Sequence, residues 1–248
     1  MKEVSFTREQ VCAHRGASGS YPENTQIAFD AAALAGAGWI ETDIQCLADS
    51  ELVIFHDEKL GRTAAGSAAL KNLRWLDMAE MDIGSWRHQQ FSGQRPLRCE
   101  DLIQWQMQAA DRPGIIWEVK CGDDLSAVEA TVQAVSSRLS TIEEHRCVVS
   151  SFSRPVLSAL RPLLPTIPMA LIADDLPADA LAFCSDHGLD GIHLGGPCVT
   201  PAVAQSVISL GLVLRCYTIN SAEEARRLTA LGVTMIMTDF PERLLSER

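Results

Sequence analysis

A regular alternation of apolar strand-like segments with helix-like segments constrains the fold of this chain more than any other feature. It begins near Cys99 and continues to residue 238, and several helix-like segments open with a capping residue. Strands that alternate with helices form parallel sheets, because each helix carries the chain back to the start of the next strand. Two earlier apolar segments bring the number of predicted strands to eight. These strands begin at Val11, Trp39, Gly114, Arg146, Met169, Gly191, Leu212 and Met235.

Eight strand–helix repeats in 248 residues predict an α/β fold of the TIM (β/α)8 barrel class. One such barrel typically uses about 250 residues, so we predict a single domain that spans residues 1–248. An apolar fraction of 47% is sufficient for one large core. A doubly wound open sheet, which also alternates helices with parallel strands, is the alternative.

The alternation is interrupted after the second strand, between about residue 60 and residue 98. This stretch is rich in small and polar residues and has too few regular apolar segments to form its own core, so we predict a small insertion. Residues 52–56 form an apolar run that follows a turn at residues 49–50. The turn is too short for a crossover helix, which predicts antiparallel pairing with the second strand. The run ends in His56 and Asp57, which either form a turn or belong to a site.

Charged residues occur at the ends of three predicted barrel strands that are otherwise apolar. His14 ends the first strand, Glu41 and Asp43 lie late in the second, and Glu118 and Lys120 end the third. The spacing of two residues places both members of each pair on one face of the strand. Each residue alone is compatible with a structural role, as a hydrogen-bonded core histidine or a polar strand end. The C-terminal strand ends of a barrel form its active site, so their coincidence predicts a site for Mg²⁺ or Ca²⁺ beside an anion.

Other polar residues give weaker signals. Arg15 opens a segment of small residues that we expect to be a flexible loop open to an anion, although no P-loop Gly-Lys-Ser/Thr follows. Ser18 and Ser20 lack the Gly-x-Ser-x-Gly context of a serine nucleophile. His193 on the sixth strand is more consistent with a structural role. Asn24 is the predicted N-cap of the first helix.

The charge balance excludes several classes of partner. The formal net charge is −11 with no run of lysine and arginine, which argues against binding to nucleic acid or anionic membranes. No apolar run reaches membrane-spanning length. The eight cysteines form no Cys-x-x-Cys motif and most lie in apolar runs, which indicates free thiols in a reducing compartment. The first nine residues are too polar for a signal peptide, so we predict a cytoplasmic location.

Five short polar motifs lie at strand ends and in the segments that follow them. They are His14-Arg15-Gly16, Pro22-Glu23-Asn24-Thr25, Glu41-Thr42-Asp43, His56-Asp57 and Glu118-Val119-Lys120. As a set they resemble the motifs of the glycerophosphodiester phosphodiesterases, and most closely those of the cytoplasmic bacterial type that serves glycerol-3-phosphate uptake. The resemblance extends over nearly the whole chain. Further matches occur at Gly84-Ser85-Trp86, Ser151-Phe152, Tyr217-Thr218-Ile219-Asn220 and Thr238-Asp239.

The resemblance implies a TIM barrel with an insertion after the second strand and the hydrolysis of glycerophosphodiesters. Glycerophosphocholine and glycerophosphoethanolamine would be typical substrates, and sn-glycerol 3-phosphate and an alcohol would be the products. The reaction would require a divalent metal cation, Mg²⁺ or Ca²⁺. The implied roles are metal ligand for Glu41, Asp43 and Glu118, general acid or base for His14 and His56, and phosphate contact for Arg15 and Lys120.

The chain differs from the family pattern at two positions near the predicted site. Cys121 follows Lys120 where the family usually has proline, and Tyr217 stands where many members have tryptophan. The attacking nucleophile is either water or the 2-hydroxyl of glycerol, and the sequence leaves both open. Two other functions remain as alternatives. They are a phospholipase-type phosphodiesterase on the same barrel and a non-catalytic barrel that binds phosphate esters.

Overall fold

A computed structural model of the protein describes residues 6–122, 124–140, 142–143 and 146–245. The strands in this part of the chain are β1 (Val11–His14), β2 (Trp39–Cys46), β3 (Leu52–Ile54), β4 (Leu97–Arg98), β5 (Gly114–Lys120), β6 (Cys147–Ser151), β7 (Met169–Ala173), β8 (Gly191–Gly195), β9 (Val213–Tyr217) and β10 (Met235–Thr238). The α-helices are α1 (Gln26–Ala35), α2 (Trp75–Met78), α3 (Cys99–Met107), α4 (Leu125–Leu139), α5 (Arg154–Leu160), α6 (Ala180–Asp186), α7 (Pro201–Ile208), α8 (Ala222–Ala230) and α9 (Pro241–Leu245).

Eight of these strands close into a parallel barrel. Strand β1 pairs in parallel with β10 on one side and with β2 on the other, so neither end of the sheet is left open. Around the barrel the order is β1, β2, β5, β6, β7, β8, β9 and β10. The closure confirms the predicted TIM barrel and excludes the doubly wound open sheet.

The side chains of the barrel strands alternate between two apolar clusters. Val11 and Ala13 join the large cluster that includes the helix residue Phe29, whereas Cys12 joins a smaller cluster with Ile116 and Met237. Because successive side chains of a strand point to opposite faces, the smaller cluster fills the inside of the barrel. On that inner face, the side chains two residues beyond Cys12 of β1 and Ile116 of β5 are polar.

A hairpin extends one side of the barrel and carries the inserted segment. Strand β3 pairs antiparallel with β2, as predicted, and β4 pairs antiparallel with β3 at the end of the insertion. Apolar side chains of the insertion pack against the hairpin in a separate small cluster. The cluster consists of Leu47, Val53, Phe55, Leu60, Ala64, Leu70, Met78 and Ile83. The insertion is therefore attached to the barrel by a core that it shares with the hairpin.

The prediction that Asn24 caps the first helix is wrong. The N-cap is Thr25, whose hydroxyl accepts a hydrogen bond from the backbone N–H of Ala28 at 3.4 Å. Asn24 instead has a φ of 57° and a buried side chain that donates to Asp43 at 2.9 Å and accepts from Thr42 at 2.8 Å. A buried carboxylate needs hydrogen-bond donors, and asparagine tolerates this left-handed backbone, so the long-range contact overrides the local capping preference.

The segment after β1 was expected to be flexible, but backbone hydrogen bonds hold it in place. The N–H of Ala17 donates to the carbonyl of Ala28 at 3.0 Å, and that of Gly19 donates to Asp239 at 2.8 Å. Gly16 has a φ of 78°, and a Cβ there would lie 2.7 Å from the backbone of Ala28. Only glycine fits this close approach to α1, so the turn fixes the position of the preceding Arg15.

Two further sequence predictions concern the thiols and the membrane. No two cysteines form a disulfide among the described residues. Within residues 6–245, excluding the four internal positions outside the description, no helix has both the length and the apolar composition needed to span a bilayer. The first five residues of the polar N-terminal segment lie outside the described residues.

Candidate active site

The structure brings the seven predicted site residues to the C-terminal end of the barrel. The register pairs His14 of β1 with Glu41 of β2, and Asp43 of β2 with Glu118 of β5. The hairpin turns back at this end, since the N–H of Phe55 donates to the carbonyl of Asp43 at 3.1 Å. The imidazole of the next residue, His56, therefore interacts electrostatically with three other residues of the predicted site. The full set is His14, Arg15, Glu41, Asp43, His56, Glu118 and Lys120.

Three buried carboxylates form the centre of the site. Glu41, Asp43 and Glu118 each have an oxygen that lies within 4.8 Å of the corresponding oxygens of the other two. Burial and the negative charge of Asp43 raise the pKa of Glu41 to about 8, and the same two causes raise the pKa of Glu118. Burial opposes ionisation of Asp43 as well, but Arg15 and Lys120 outweigh it and lower its pKa to about 2.

The residues at this centre fit a divalent cation. Among the described residues, Oε1 of Glu41 is buried without a hydrogen-bond partner. Among the described lysine and arginine side chains, Arg15 and Lys120 form ion pairs with the three carboxylates, and Nε2 of His14 lies 3.9 Å from Oε2 of Glu41. An orphaned buried oxygen and an excess of negative charge are both relieved by a bound cation, and carboxylate oxygens are the ligands that Mg²⁺ and Ca²⁺ prefer.

The two cations contact different oxygens of Asp43. Arg15 places Nε 3.2 Å from Oδ2 of Asp43 and donates from Nη1 to Glu23 at 2.9 Å. Lys120 places Nζ 2.6 Å from Oε1 of Glu118 and 3.2 Å from Oδ1 of Asp43. The site therefore has positive charge next to the carboxylates, as the binding of a charged phosphodiester requires.

Each histidine is held through Nδ1 by a carboxylate. Nδ1 of His14 lies 2.7 Å from Oδ1 of Asp239, and Nδ1 of His56 lies 2.7 Å from Oδ1 of Asp57. An ionised carboxylate can only accept, so both Nδ1 atoms carry the proton and both Nε2 atoms are left for chemistry. Burial lowers the pKa of His56. Burial has the same effect on His14, but the hydrogen bond that it donates to Asp239 and the charge of Glu41 outweigh burial and raise the pKa of His14.

Comparison with known proteins places this site in a family. The family model of the glycerophosphoryl diester phosphodiesterases matches residues 14–243, which is most of the chain. The chain belongs to this family. The assignment makes the protein a phosphodiesterase and a hydrolase, and it excludes the alternative of a non-catalytic barrel.

Relatives of the phosphodiesterase share its full length at modest identity. A glycerophosphodiester phosphodiesterase of Bacillus altitudinis is 28% identical over 242 residues and covers 96% of this chain and 98% of its own. One from Bacillus subtilis is 29% identical over 258 residues, with 96% and 86% covered. The structure of an Oleispira antarctica phosphodiesterase in complex with the product sn-glycerol-3-phosphate has a TM-score of 0.90 at 25% identity and covers 96% of each chain.

Two cavities flank the carboxylate cluster of the phosphodiesterase, and the insertion contributes to both. One, of about 400 Å³, is lined by Glu118, Lys120 and Phe152 together with Lys71 of the insertion. The other, of about 390 Å³, lies on the side of His14. Its lining includes His14, Arg15, Trp86, Arg87, Asp239 and Phe240. Since Lys71, Trp86 and Arg87 all belong to the insertion, that segment helps to shape the space on each side of the site.

The sequence did not predict the residues that orient the side chains of the site. Asp239 was visible only as part of the Thr238-Asp239 match, and Asp57 only as the neighbour of His56. The structure shows that both orient a histidine. Asn220 donates to Oδ2 of Asp239 at 2.7 Å and so fixes the first of these pairs. His193, expected to be structural, is buried beside Arg215, with Nε2 3.2 Å from Nη1, and takes no part in the cluster.

We expect the thermal stabilisation given by Mg²⁺ or Ca²⁺ to increase as the pH rises from about 6 to about 8.5. A cation needs ionised carboxylates, but in the metal-free protein the raised pKa of Glu41, about 8, keeps its proton on at neutral pH, and the raised pKa of Glu118 opposes its ionisation. For one proton, apparent affinity falls about tenfold for each pH unit below the pKa. Melting temperatures at fixed cation concentration, with and without the cation, would measure the effect.

The raised pKa of Glu41 also determines how the stability of the metal-free protein changes with pH. The pKa of Glu41 is raised above its ordinary value of 4.5, so its contribution to stability is complete below that value and is lost as the pH rises through about 8. The cation reverses this loss, which widens the difference between the two melting curves at high pH. Potassium at matched ionic strength is the control. An equal shift in melting temperature at both pH values would contradict the prediction.

Proposed function

We propose that this phosphodiesterase hydrolyses glycerophosphodiesters, such as glycerophosphocholine and glycerophosphoethanolamine, to sn-glycerol 3-phosphate and an alcohol in a reaction that needs a divalent cation. The observation that carries the proposal is the buried carboxylate triad flanked by two cations and by two histidines that are each held at Nδ1. The Oleispira antarctica relative, described in complex with sn-glycerol-3-phosphate, supports this choice of product.

The cation would be held by Glu41, Asp43 and Glu118. When bound, it would supply Lewis-acid stabilisation of the negative charge that develops on the phosphate oxygens. Glu41 offers the buried Oε1 that lacks a hydrogen bond among the described residues, while Oε2 accepts the backbone N–H of Arg15 at 3.2 Å. Asp43 is held by Asn24 and Arg15, so its carboxylate stays ionised and oriented before any ligand arrives.

Arg15 and Lys120 would bind the phosphate. A phosphodiester resists attack because it is anionic, so groups that neutralise its non-bridging oxygens lower the barrier. Counting only the triad, Arg15 and Lys120, the three carboxylates, when ionised, outweigh the two cations by one negative charge. A divalent cation and the single charge of a diester together bring this set to neutrality, which favours the bound state of both.

The two histidines would divide the proton transfers. One Nε2 removes a proton from the nucleophile and the other gives a proton to the leaving oxygen, and imidazole suits both tasks near neutral pH. The opposite shifts of the two pKa values, raised for His14 and lowered for His56, support a pair in which one donates and the other accepts.

The test of this proposal is a direct assay of the product. The purified protein is incubated with glycerophosphocholine and Mg²⁺ or Ca²⁺, and glycerol 3-phosphate is measured with a coupled dehydrogenase. We expect its formation to depend on both the enzyme and the cation. Phosphorus NMR of the same mixture separates the two nucleophiles, since attack by the glycerol 2-hydroxyl gives a transient cyclic phosphate and attack by water does not. Absence of glycerol 3-phosphate with every glycerophosphodiester tried would overturn the proposed substrate class.

A further inference from the structure

Arg62 of the insertion joins the two carboxylates that hold Arg15 and His56. Its guanidinium donates to both oxygens of Glu23, from Nη1 at 2.6 Å and from Nη2 at 2.8 Å. It also donates to both oxygens of Asp57, from Nε at 2.8 Å and from Nη2 at 2.9 Å. Glu23 in turn accepts from Arg15 at 2.9 Å, and Asp57 holds Nδ1 of His56 at 2.7 Å. Arg62 is therefore separated from each site residue by one carboxylate.

This network links His56, a candidate catalytic residue, to Asp43, a candidate metal ligand, through side chains of alternating charge. It runs from His56 through Asp57, Arg62 and Glu23 to Arg15. The far end continues to the carboxylate triad, since Nε of Arg15 contacts Asp43 as described above. Paired hydrogen bonds between guanidinium and carboxylate are shorter and more directional than single ones, so Arg62 fixes the plane as well as the charge of both partners.

The surroundings of Arg62 favour a role in positioning over a role in folding. Its side chain is 44% exposed, whereas those of Glu23 and Asp57 are 12% and 20% exposed. Removing it would therefore open no cavity in the core, but it would leave two partly buried carboxylates without their shared cation. The guanidinium also lies over the ring of Trp86, 5.7 Å from the centroid.

Trp86 ties Arg62 to the rest of the insertion. The indole N–H of Trp86 donates to the carbonyl of Ile83 at 2.9 Å, and the ring lines the cavity beside His14 and Arg15. The backbone turn that presents Arg62 is closed by the N–H of Gly61, which donates to Ala64 at 2.9 Å. Arg62 is therefore held in a defined geometry where it contacts the carboxylates that bind Arg15 and His56.

We propose that Arg62 is a positioning residue of the phosphodiesterase reaction. It holds Asp57 so that Nε2 of His56 faces the reacting phosphate, and it holds Glu23 so that the guanidinium of Arg15 faces the same point. The inference rests on the proposed function, because it assigns to His56 and Arg15 the roles of proton transfer and phosphate binding.

Three variants test the proposal. For Arg62→Gln we expect kcat to fall about 10- to 100-fold, as is typical when a residue that orients a catalytic group is lost, and KM to rise by a smaller factor through Arg15. Arg62→Lys keeps the charge but cannot make two paired contacts, so its kcat should lie between those of Arg62→Gln and the wild type. Arg95→Gln is the matched control. Arg95 is an exposed arginine of the same insertion, 3.6 Å from Glu80, and its loss should leave both constants within about twofold.

A double-mutant cycle separates positioning from a general loss of structure. If Arg62 acts on kcat through Asp57, Arg62→Gln should lower kcat by no more than about twofold in the Asp57→Asn background, whereas it should retain most of its effect beside Glu23→Gln. A purely structural defect would reduce the active fraction and leave KM unchanged. The circular dichroism of each variant measures its folded fraction independently of turnover.

Two results would overturn the inference. One is a wild-type kcat in Arg62→Gln, and the other is full multiplication of the Arg62→Gln and Asp57→Asn effects. Bis(p-nitrophenyl) phosphate is assayed alongside glycerophosphocholine. If the wild-type enzyme cleaves only bis(p-nitrophenyl) phosphate, the proposed substrate class is wrong. The role of Arg62 can then still be tested with that diester.

Discussion

Replacing His14 or His56 by alanine is expected to lower kcat by about 10²- to 10⁴-fold without unfolding the protein. Each imidazole has its Nδ1 bound to a carboxylate and its Nε2 left for the substrate, so each removal deletes one proton transfer. Neither residue belongs to the apolar clusters, and His56 lies just beyond the end of β3. Steady-state kinetics with glycerophosphocholine, together with circular dichroism and melting temperatures, would measure both parts of the prediction.

The matched control for the histidines is His187→Ala. His187 follows the C-terminal end of α6, and that helix leads into the start of β8, so this imidazole lies at the opposite end of the barrel. Its replacement should leave kcat unchanged. Near-normal turnover by either His14→Ala or His56→Ala, measured at saturating substrate, would refute the acid–base assignment.

Removal of divalent cations is expected to abolish activity, and addition of Mg²⁺ or Ca²⁺ to the chelated enzyme is expected to restore it. The reason is that, without the cation, no Lewis acid would neutralise the phosphate oxygens, and the raised pKa values of Glu41 and Glu118 oppose the ionisation of the triad that the site needs. Dialysis against EDTA, followed by titration with each cation and assay for glycerol 3-phosphate, would measure the dependence.

Carboxamide variants identify the ligands. Glu118→Gln and Asp43→Asn should each weaken cation binding, seen as a higher cation concentration for half-maximal activity and a smaller stabilisation on heating. Glu129→Gln, on the exposed face of α4, removes a carboxylate away from the triad and should change neither quantity. Undiminished activity in excess chelator would show that the reaction does not require the metal.

The barrel could be predicted from sequence because each repeat carries local signals. The bounds of β5, α4 and β10 agree with the predicted segments, since an apolar run or a helical spacing begins and ends at polar or turn-forming residues there. The antiparallel β3 followed from a loop too short for any helix. The meeting of the seven predicted site residues at one end of the barrel was predictable because a barrel gathers its strand ends and because the combined motifs resemble those of a known family; their roles remain predictions.

The supporting contacts could not be predicted because they join residues that no local pattern relates. Asp239 reaches His14 across 225 positions of the chain, and Arg62 contacts Glu23 across 39. Asn24 matched the local signature of a helix cap, but its hydrogen bond to the buried Asp43 is the stronger constraint. Such side-chain networks depend on the assembled barrel, so periodicity and capping rules carry no information about them.

The join between β1 and β10 has a consequence for when the enzyme can first work during its synthesis. His14 leaves the ribosome well before its partner Asp239, which lies 225 positions further along the chain, just beyond β10. A nascent chain that stops short of β10 has both an open barrel and a histidine without its orienting carboxylate. We therefore expect turnover to begin only after β10 and Asp239 have been translated.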